Sequence, residues 1–596
     1  MNEHWRLRPH DRARIESLSR GALISPLLAQ LLINRGIDEP GRAAAFLDTR
    51  MRSLHDPELL PGAAQAADRI VQAIRDDRKI VIYGDYDVDG VCGTSILWAC
   101  LQLAGAGHVE YYIPHRVDEG YGVSAEALRR LVAESKAELI VTVDCGISAV
   151  READLARELG VEFIVTDHHT IGLTLPAADV VVHPRLPGGS YPCGDLCGAA
   201  VAFKVAWQVC KFFGDGKRAS PHLRNFLVDA LGLVALATIA DMVPLSDENR
   251  VMVRHGLAGI EARPSAGLGA LMELSAPGNK RRLTTGMVGF GLAPRINAAG
   301  RMERAMMAVE MLTTNDVEQA RTLAAELDRC NTIRQDVERK IMSEAQEMLK
   351  DEGGVGDRGA IILGRKGWHP GVIGIVAGRL ADMYHRPSVV ISLGSEMSQG
   401  SARSIPGFDL YEALKECSEG LLAFGGHAAA AGLKLTEAQL PAFARRFEEF
   451  CGRAISSEQR QRVLTIDDQV LLSQLTLGTV AEIEKLEPYG IGNPRPLLLA
   501  GDVVVAEQPR PVGEQKNHLQ LRLRQGDVER KAIAWNMAEK GQVLTAGSRC
   551  SVVFHPSINE WKERREVQLE IRDFVLESAD QRAIIGSMAE TRSERP

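Results

Sequence analysis

The chain has 596 residues with a formal net charge of −8, 45% hydrophobic and 25% charged residues, which is too long for one core and ordinary for a soluble, globular, multidomain protein. The acidic balance excludes a globally basic nucleic-acid binder, so any such surface has to be a local basic track. No apolar run is expected to span a bilayer, MNEHWRLRPHDRAR is no signal peptide, and the ten scattered cysteines (nearest pair Cys193 and Cys197) lack zinc-site partners and are read mostly as reduced thiols.

Residues 1–75 read as short helices punctuated by Gly36 and Pro40. From Lys79 strands and helices alternate: KIVIYGDYD, CGTSILWACLQLAGA, VEYYIP, SAEALRRLVAESKA, ELIVTVDCG, AVREADLARELG and VEFIVTDHH. Strands that are apolar nearly throughout and separated by single helices predict a parallel sheet covered on both faces. Residues 316–350 hold no Gly or Pro and repeat apolar residues from Val317 through Leu327, Ile341 and Leu349 at helical spacing. They predict one helix of perhaps ~50 Å at 1.5 Å per residue, with Asn315 and Glu318 resembling a capping box. A second α/β segment runs from AIILG to about residue 453. Beyond it, HLQLRLRQGD and REVQLEIRDF alternate strictly, with Leu519, Leu521 and Leu523, and Val567, Leu569 and Ile571, on one face. This predicts a small barrel, followed by about 20 disordered residues.

Acidic residues collect at the strand ends, where α/β sheets place their ligands. Asp85, Asp87 and Asp89 follow the first strand, Asp144 stands in IVTVDCG, Asp167, His168 and His169 in FIVTDHH, and Asp241 interrupts the apolar run ALATIADMVP. Any one of them alone reads more readily as a helix cap than as a ligand. Together, carboxylates with one or two imidazoles suit a hard or borderline divalent ion such as Mg²⁺ or Mn²⁺. Two such ions would neutralise the acids and clamp the attacking and leaving oxygens of a phosphoryl displacement.

DYDVDG, VDCG, TDHH and TIAD resemble the four motifs of the DHH phosphoesterase superfamily. IPHRVDEGYGVS, PRINAAGRM, GWHPGVIGIVAGRL, GSARS, GGHAAAAG and EPYGIGNPRP extend the likeness over nearly the whole chain, to the RecJ family of single-strand-specific exonucleases. The resemblance implies an α/β fold in which a parallel-sheet DHH domain (76–315, after an N-terminal helical segment, 1–75) is joined by a connecting helix (316–352) to a smaller α/β DHHA1 domain (353–453). An OB-like β-barrel (460–576) and a tail (577–596) follow.

It also implies roles. Asp87, Asp89, Asp144, His168 and Asp241 would hold two Mn²⁺ or Mg²⁺ ions, with Asp144 bridging; His169 would approach the scissile phosphate; Asp85 and Asp167 would stand behind the ligands. Arg295, Asn297 and Arg301 resemble a loop that contacts the phosphate under attack, solvated or capping arginines being the alternative. Arg116, Ser401 and Arg403 resemble a pocket for a 5′-terminal phosphate, and Gly425, Gly426 and His427 a glycine-rich face that lets the backbone approach the strand. His427 and His369 read equally as structural histidines; Trp535 and Trp561 read as core residues in preference to base-stacking platforms. One departure from the superfamily pattern is Tyr83, where many members carry a histidine. The implied activity is 5′→3′ hydrolysis of single-stranded DNA to 5′-mononucleotides in recombination and repair. The implied setting is a cytoplasmic monomer with no membrane partner, working beside single-strand-binding protein and recombination helicases. A superfamily enzyme acting on short oligonucleotides is disfavoured by the barrel, and a silent scaffold by the intact acidic motifs.

Overall fold

The β-branched runs after Arg78 become the centre of a parallel sheet. In the computed structural model, which describes residues 4–115, 119–275, 282–302, 304–561 and 564–576, the strands Val109–Tyr112, Ile80–Gly84, Leu139–Val143, Glu162–Thr166 and Val180–Val182 lie in that order, all parallel. Ile80–Gly84 and Leu139–Val143 are buried along their whole length, as a sheet covered by helices on both faces requires. Strand order reverses at Ile80–Gly84, and the crevice outside the carboxyl ends at such a switch point is where ligands settle.

Helix Pro221–Ala240 corrects the expectation that no run could cross a bilayer, since an 18-residue window within it has a mean hydropathy of 1.6. It is a core helix instead. It packs against Val88–Leu103, Gly198–Phe212 and Asp247–Ala262, with Leu231, Val234 and Leu236 fully buried.

The chain divides into two compact units, one of them Met51–Val243 with Asp247–Arg462. That unit holds the parallel sheet, the connecting helix Val317–Asp351 and a second sheet. The connecting helix is capped by Asp316, whose side chain accepts from Glu318 N and Gln319 N, and not by Asn315. Its buried face is less apolar than its periodicity suggests: Asn331, Arg334 and Glu338 are buried beside Leu327, Ile341 and Leu349, while Val317 is exposed. The second sheet runs Ala423–Gly426, Ala430–Leu435, Ser398–Arg403, Ser388–Leu393, Ile361–Lys366 and is mixed, only the last pair being parallel.

The other unit contains the residues up to Arg50, Pro244–Ser246 and those from Val463 onward, so the N-terminal segment expected over 1–75 parts at Arg50. The physical reason is a pairing between opposite ends of the chain: His4–Leu7 lies parallel to Val463–Ile466, and Ile15, Leu18, Leu28 and Leu31 share one core with Leu498, Val503 and Phe554. Helix Ala63–Arg75 packs instead on Gly198–Phe212. The barrel closes through Leu498–Val505, Arg549–Trp561, Arg564–Leu576, Val528–Ala534 and His518–Gln525, the last pairing back to the first at Val504↔Arg524. Leu519, Leu521, Leu523, Val567, Leu569 and Ile571 face its core. The tail at 577–596 lies outside the described residues.

Candidate metal centre

The first strand ends at Gly84, and Asp85, Asp87 and Asp89 enter the next helix. Asp87 is its N-cap, accepting from Asp89 N (2.9 Å) and Gly90 N (3.2 Å). Gly90 is required, because a Cβ there would sit 2.5 Å from Asp85 O. Asp89 accepts from Gly198 N (2.6 Å) and Ala199 N (2.7 Å), the amides that open helix Gly198–Phe212 and favour a carboxylate. Asp144 follows its strand at φ 64°, a left-handed conformation uncommon for a non-glycine residue and found often at functional sites. Gly198 approaches it so closely that a Cβ would fall 2.5 Å from Asp144 Oδ1.

His168 Nε2 faces Asp144 Oδ1 at 3.1 Å, Asp89 Oδ2 at 3.6 Å and Asp241 Oδ2 at 3.7 Å. His169 Nδ1 lies 2.8 Å from Asp167 Oδ1 and 3.9 Å from Asp144 Oδ1. Three overlapping ligand sets result, each with its donor atoms within 4.8 Å of one another: Asp144, His168 and His169; Asp89, His168 and Asp241; Asp85, Asp87 and Asp144. Asp85 thus stands in ligand range, closer to the centre than expected. Asp167 does not, since its oxygens accept from Ile147 N, His168 N, His169 N and His169 Nδ1. Tyr83 is also out of range. Its ring is fully buried among Phe163, Ile140 and Leu128, and its hydroxyl donates to Gly122 O.

Burial and the charges of Asp89 and Asp87 hold Asp144 well above the usual carboxylate range. Burial and Asp89 raise Asp87, and burial with Asp89 and Asp87 brings Asp241 to about 8. Burial lowers His168. For His169, burial works downward but the Asp167 hydrogen bond outweighs it and raises the imidazole to about 9; burial works upward on Asp167, and His169 with the backbone donors brings it down to about 2. Asp144 Oδ1 and His168 Nε2 are buried without a hydrogen-bond partner. An orphaned buried carboxylate oxygen and ring nitrogen among mutually repelling acids fit a divalent cation held by oxygen and imidazole.

The segment PRINAAGR is not a loop: it forms helix Ala293–Arg301, whose small residues let it lie against the Asp87 turn, where a Cβ at Gly300 would meet Tyr86 O at 2.3 Å. Asn297 Oδ1 accepts from Val88 N (3.0 Å). Arg295 donates to Asp328 Oδ1 and Gly291 O, both at 2.7 Å, and Arg301 to Gly371 O at 2.6 Å. In the second sheet Arg403 Nη1 donates to Ser401 Oγ (3.1 Å) and Ala402 O (2.8 Å). Register sets Ser401 opposite Gly432 and Gly432 opposite Gly425, a row across three strands. Gly426 has φ 147°, and His427 is exposed, its N–H donating to Ala430 O. His369 Nδ1 accepts from Gly371 N. Arg116 and the Trp561 side chain lie outside the described residues. Trp535 is 52% exposed at the edge of His518, which removes the core reading for it.

Sequence reasoning missed Gly198, Ala199 and Tyr121. The first two act through backbone amides, which no side-chain pattern reports. The Tyr121 hydroxyl lies 3.0 Å from His169 Nδ1 and 3.3 Å from Asp144 O, on a turn whose Gly120 and Gly122 have φ 82° and 88°. The motif EGYG was the signal.

The DHH family's N-terminal domain matches residues 79–238, the DHHA1 domain 357–453 and the RecJ OB domain 466–573. The single-stranded-DNA-specific exonuclease RecJ of Bacillus subtilis is 40% identical over 571 residues, 96% of this chain and 70% of that protein. The crystal structure of RecJ from Thermus thermophilus in complex with Mn²⁺ superposes with a TM-score of 0.79 at 32% identity, covering 97% of this chain and 80% of that one. Its Mg²⁺ complex gives 0.73 at 30%, covering 97% and 79%. With all three domain matches in sequence order and the likeness running nearly end to end, the chain belongs to the RecJ family of DHH proteins.

Proposed function

We propose that the chain is a divalent-metal-dependent exonuclease that hydrolyses single-stranded DNA from its 5′ end to 5′-mononucleotides, in cytoplasmic DNA recombination and repair. The observation that carries the reading is the buried, unpartnered Asp144 Oδ1, 3.1 Å from His168 Nε2, shared by two of the three ligand sets. Asp85, Asp87, Asp89, Asp144, His168 and Asp241 would hold a pair of Mn²⁺ or Mg²⁺ ions, the cations in the two Thermus complexes. Bound as a pair, such ions supply Lewis-acid stabilisation to the attacking and leaving oxygens of a phosphodiester.

The chain's own residues do the rest. The Gly198 and Ala199 amides hold the Asp89 carboxylate in place. Asp167 Oδ1, 2.8 Å from His169 Nδ1 and accepting from His169 N, orients that imidazole, which would present its ring to the scissile phosphate. Asn297 fixes the turn that carries Asp87, and Arg295 and Arg301 add positive charge to the same helix. Polarity needs a second fixed point that recognises a chain end; Ser401 and Arg403, with Arg116, would hold the terminal phosphate. Gly425, Gly426 and His427 extend that face of the second sheet, and the OB barrel would supply a single-strand grip of its own. The domain boundaries read from the sequence, the monomeric state, and single-strand-binding protein and recombination helicases as partners rest on the family resemblance alone.

The decisive experiment incubates 5′- and 3′-labelled single strands and the matching duplex with the purified protein in Mn²⁺ or in chelator. Immediate release of the 5′ label as a mononucleotide, in metal and from single strands only, is expected. Early loss of the 3′ label overturns the polarity, and turnover in chelator overturns the metal dependence.

A further inference from the structure

The apolar stripe of the connecting helix is broken in the middle by charge. Glu338 is 1% exposed and Arg334 8%; Arg334 Nη1 donates to Glu338 Oε2 at 2.6 Å and Arg334 Nη2 to Asn331 Oδ1 at 2.5 Å. The other Glu338 oxygen meets Arg379 Nε at 2.5 Å, and Arg379 belongs to helix Ile373–Tyr384. Buried ion pairs are poor sources of stability, and their best-attested use is to fix register. Ile341 and Ala345 already share a core with Val376 and Leu380 of the opposing helix, and to that packing the buried Glu338 carboxylate adds one charged contact across the helix pair, to Arg379, whose side chain is 57% exposed.

What this register controls is visible on the same helix. Gly374 and Gly378 face Ser401 and Arg403: a Cβ at Gly374 would fall 2.8 Å from Ser401 Oγ and 3.1 Å from Arg403 Nη2, and one at Gly378 3.9 Å from Arg403 Cγ. Arg379 therefore ties the wall of this pair to the connecting helix. Ten residues earlier, Asp328 is tied by Arg295 (2.7 Å) to helix Ala293–Arg301, the helix that holds Val88 N through Asn297. The same helix reaches Gly371 O through Arg301, at the head of Ile373–Tyr384. The ties close a circuit from the metal turn to Ser401 and Arg403 and back.

We infer that Glu338 and Arg379 are positioning residues that set the distance between the metal cluster and the chain-end pocket, and with it the length of the product. This rests on the exonuclease reading above. The Asp328–Glu338 span is about 15 Å of helix at 1.5 Å per residue. A slip of one turn, about 5.4 Å, is on the scale of one nucleotide step, whose axial rise alone is ~3.4 Å in a stacked strand, and so shifts the register between the held chain end and the metals.

The test uses the full chain, Mn²⁺ and end-labelled single strands carrying a 5′-phosphate or a 5′-hydroxyl, with products resolved by length. Arg379 is largely exposed, and Arg379→Ala leaves Glu338 paired with Arg334; Arg379→Gln carries the same test should the alanine variant not fold. The wild type is expected to release mononucleotides and to prefer the 5′-phosphate. Arg379→Ala is expected to add di- and trinucleotides and to lower that preference at least about threefold, Arg379→Lys to recover part of it, and Arg379→Ala to lower it no further once Arg403→Ala is present. A variant with a uniformly lower rate but unchanged product length and preference overturns the positioning role, and so does an additive effect with Arg403→Ala. A wild type without mononucleotide products or 5′ preference overturns the exonuclease reading itself, so the two failures are told apart by the control lane.

Discussion

At the carboxyl edge of the parallel sheet Asp85, Asp89 and Asp144 are buried to 1–2% exposure with like charges around them, whereas in the barrel Glu570 receives Arg495 through two contacts of 2.7 Å. Burial and the charges of Asp89 and Asp87 raise Asp144 well above the ordinary carboxylate value. On Glu570 burial pushes the same way, but Arg495 outweighs it and brings the carboxyl below its ordinary value. The barrel neutralises its half-buried charge from within; the strand-end cluster is complete only with a cation. The difference separates a scaffold from a site without appeal to any likeness.

Four experiments break or sharpen that contrast. Asp144→Asn removes the shared ligand, and hydrolysis should fall by several kcal/mol of transition-state stabilisation, about a thousandfold. Mn²⁺ should raise the melting temperature of the wild type and that of the variant far less. Near-normal turnover in the variant would show that the cluster is not the reaction centre.

Arg403→Ala removes one charged phosphate contact, worth ~1.5–3 kcal/mol, or roughly tenfold to a hundredfold. Activity on 5′-phosphorylated strands should drop by that factor and on 5′-hydroxyl strands little, measured at sub-saturating substrate. An unchanged ratio moves the pocket elsewhere.

On the barrel, Trp535→Ala should weaken single-strand binding by ~1–3 kcal/mol if the exposed ring stacks on a base, leaving the slope of log affinity against log salt unchanged, because stacking releases no counterions. A changed slope with an unchanged affinity at low salt would assign this surface to phosphate contacts.

The smallest effect concerns His555. Burial lowers its imidazole to about 4, and the ring bonds Pro496 O at 2.7 Å. Below the ordinary histidine value of about 6.5 the unfolded chain binds a proton that the folded barrel refuses until about pH 4. Stability therefore falls as pH drops through that window, by about 1 kcal/mol between pH 7 and 5.5. Calorimetry on His555→Phe should show that slope flattened, and a slope equal to wild type would place its origin in other groups.

The acidic motifs, the parallel sheet and the alternating barrel strands were legible in the sequence because each is local: a β-branched run followed by aspartate, or a period of two, is decided by neighbours along the chain. The motifs likewise nominated Asp87, Asp89, Asp144, His168 and Asp241, which the fold brings together. Local reading failed where a residue's task depends on a distant partner. Trp535 reads toward the core because an aromatic in a barrel is usually buried, yet its neighbours leave half of it open. Arg334 and Glu338 are buried although charged, and Glu338 finds Arg379 on helix Ile373–Tyr384, a partner that no period along the connecting helix announces. Gly198 carries no side chain to notice, and its task, aiming its amide together with that of Ala199 at Asp89 from another helix, exists only after folding. What the sequence by itself determined is which chemistry is present at the strand ends, since side-chain type and local conformation are written residue by residue. The tertiary structure alone decided which acid reaches which, which arginine is already paired, and which end of the chain the first strand joins, because burial, distance and charge pairing belong to contacts between segments that no local pattern encodes.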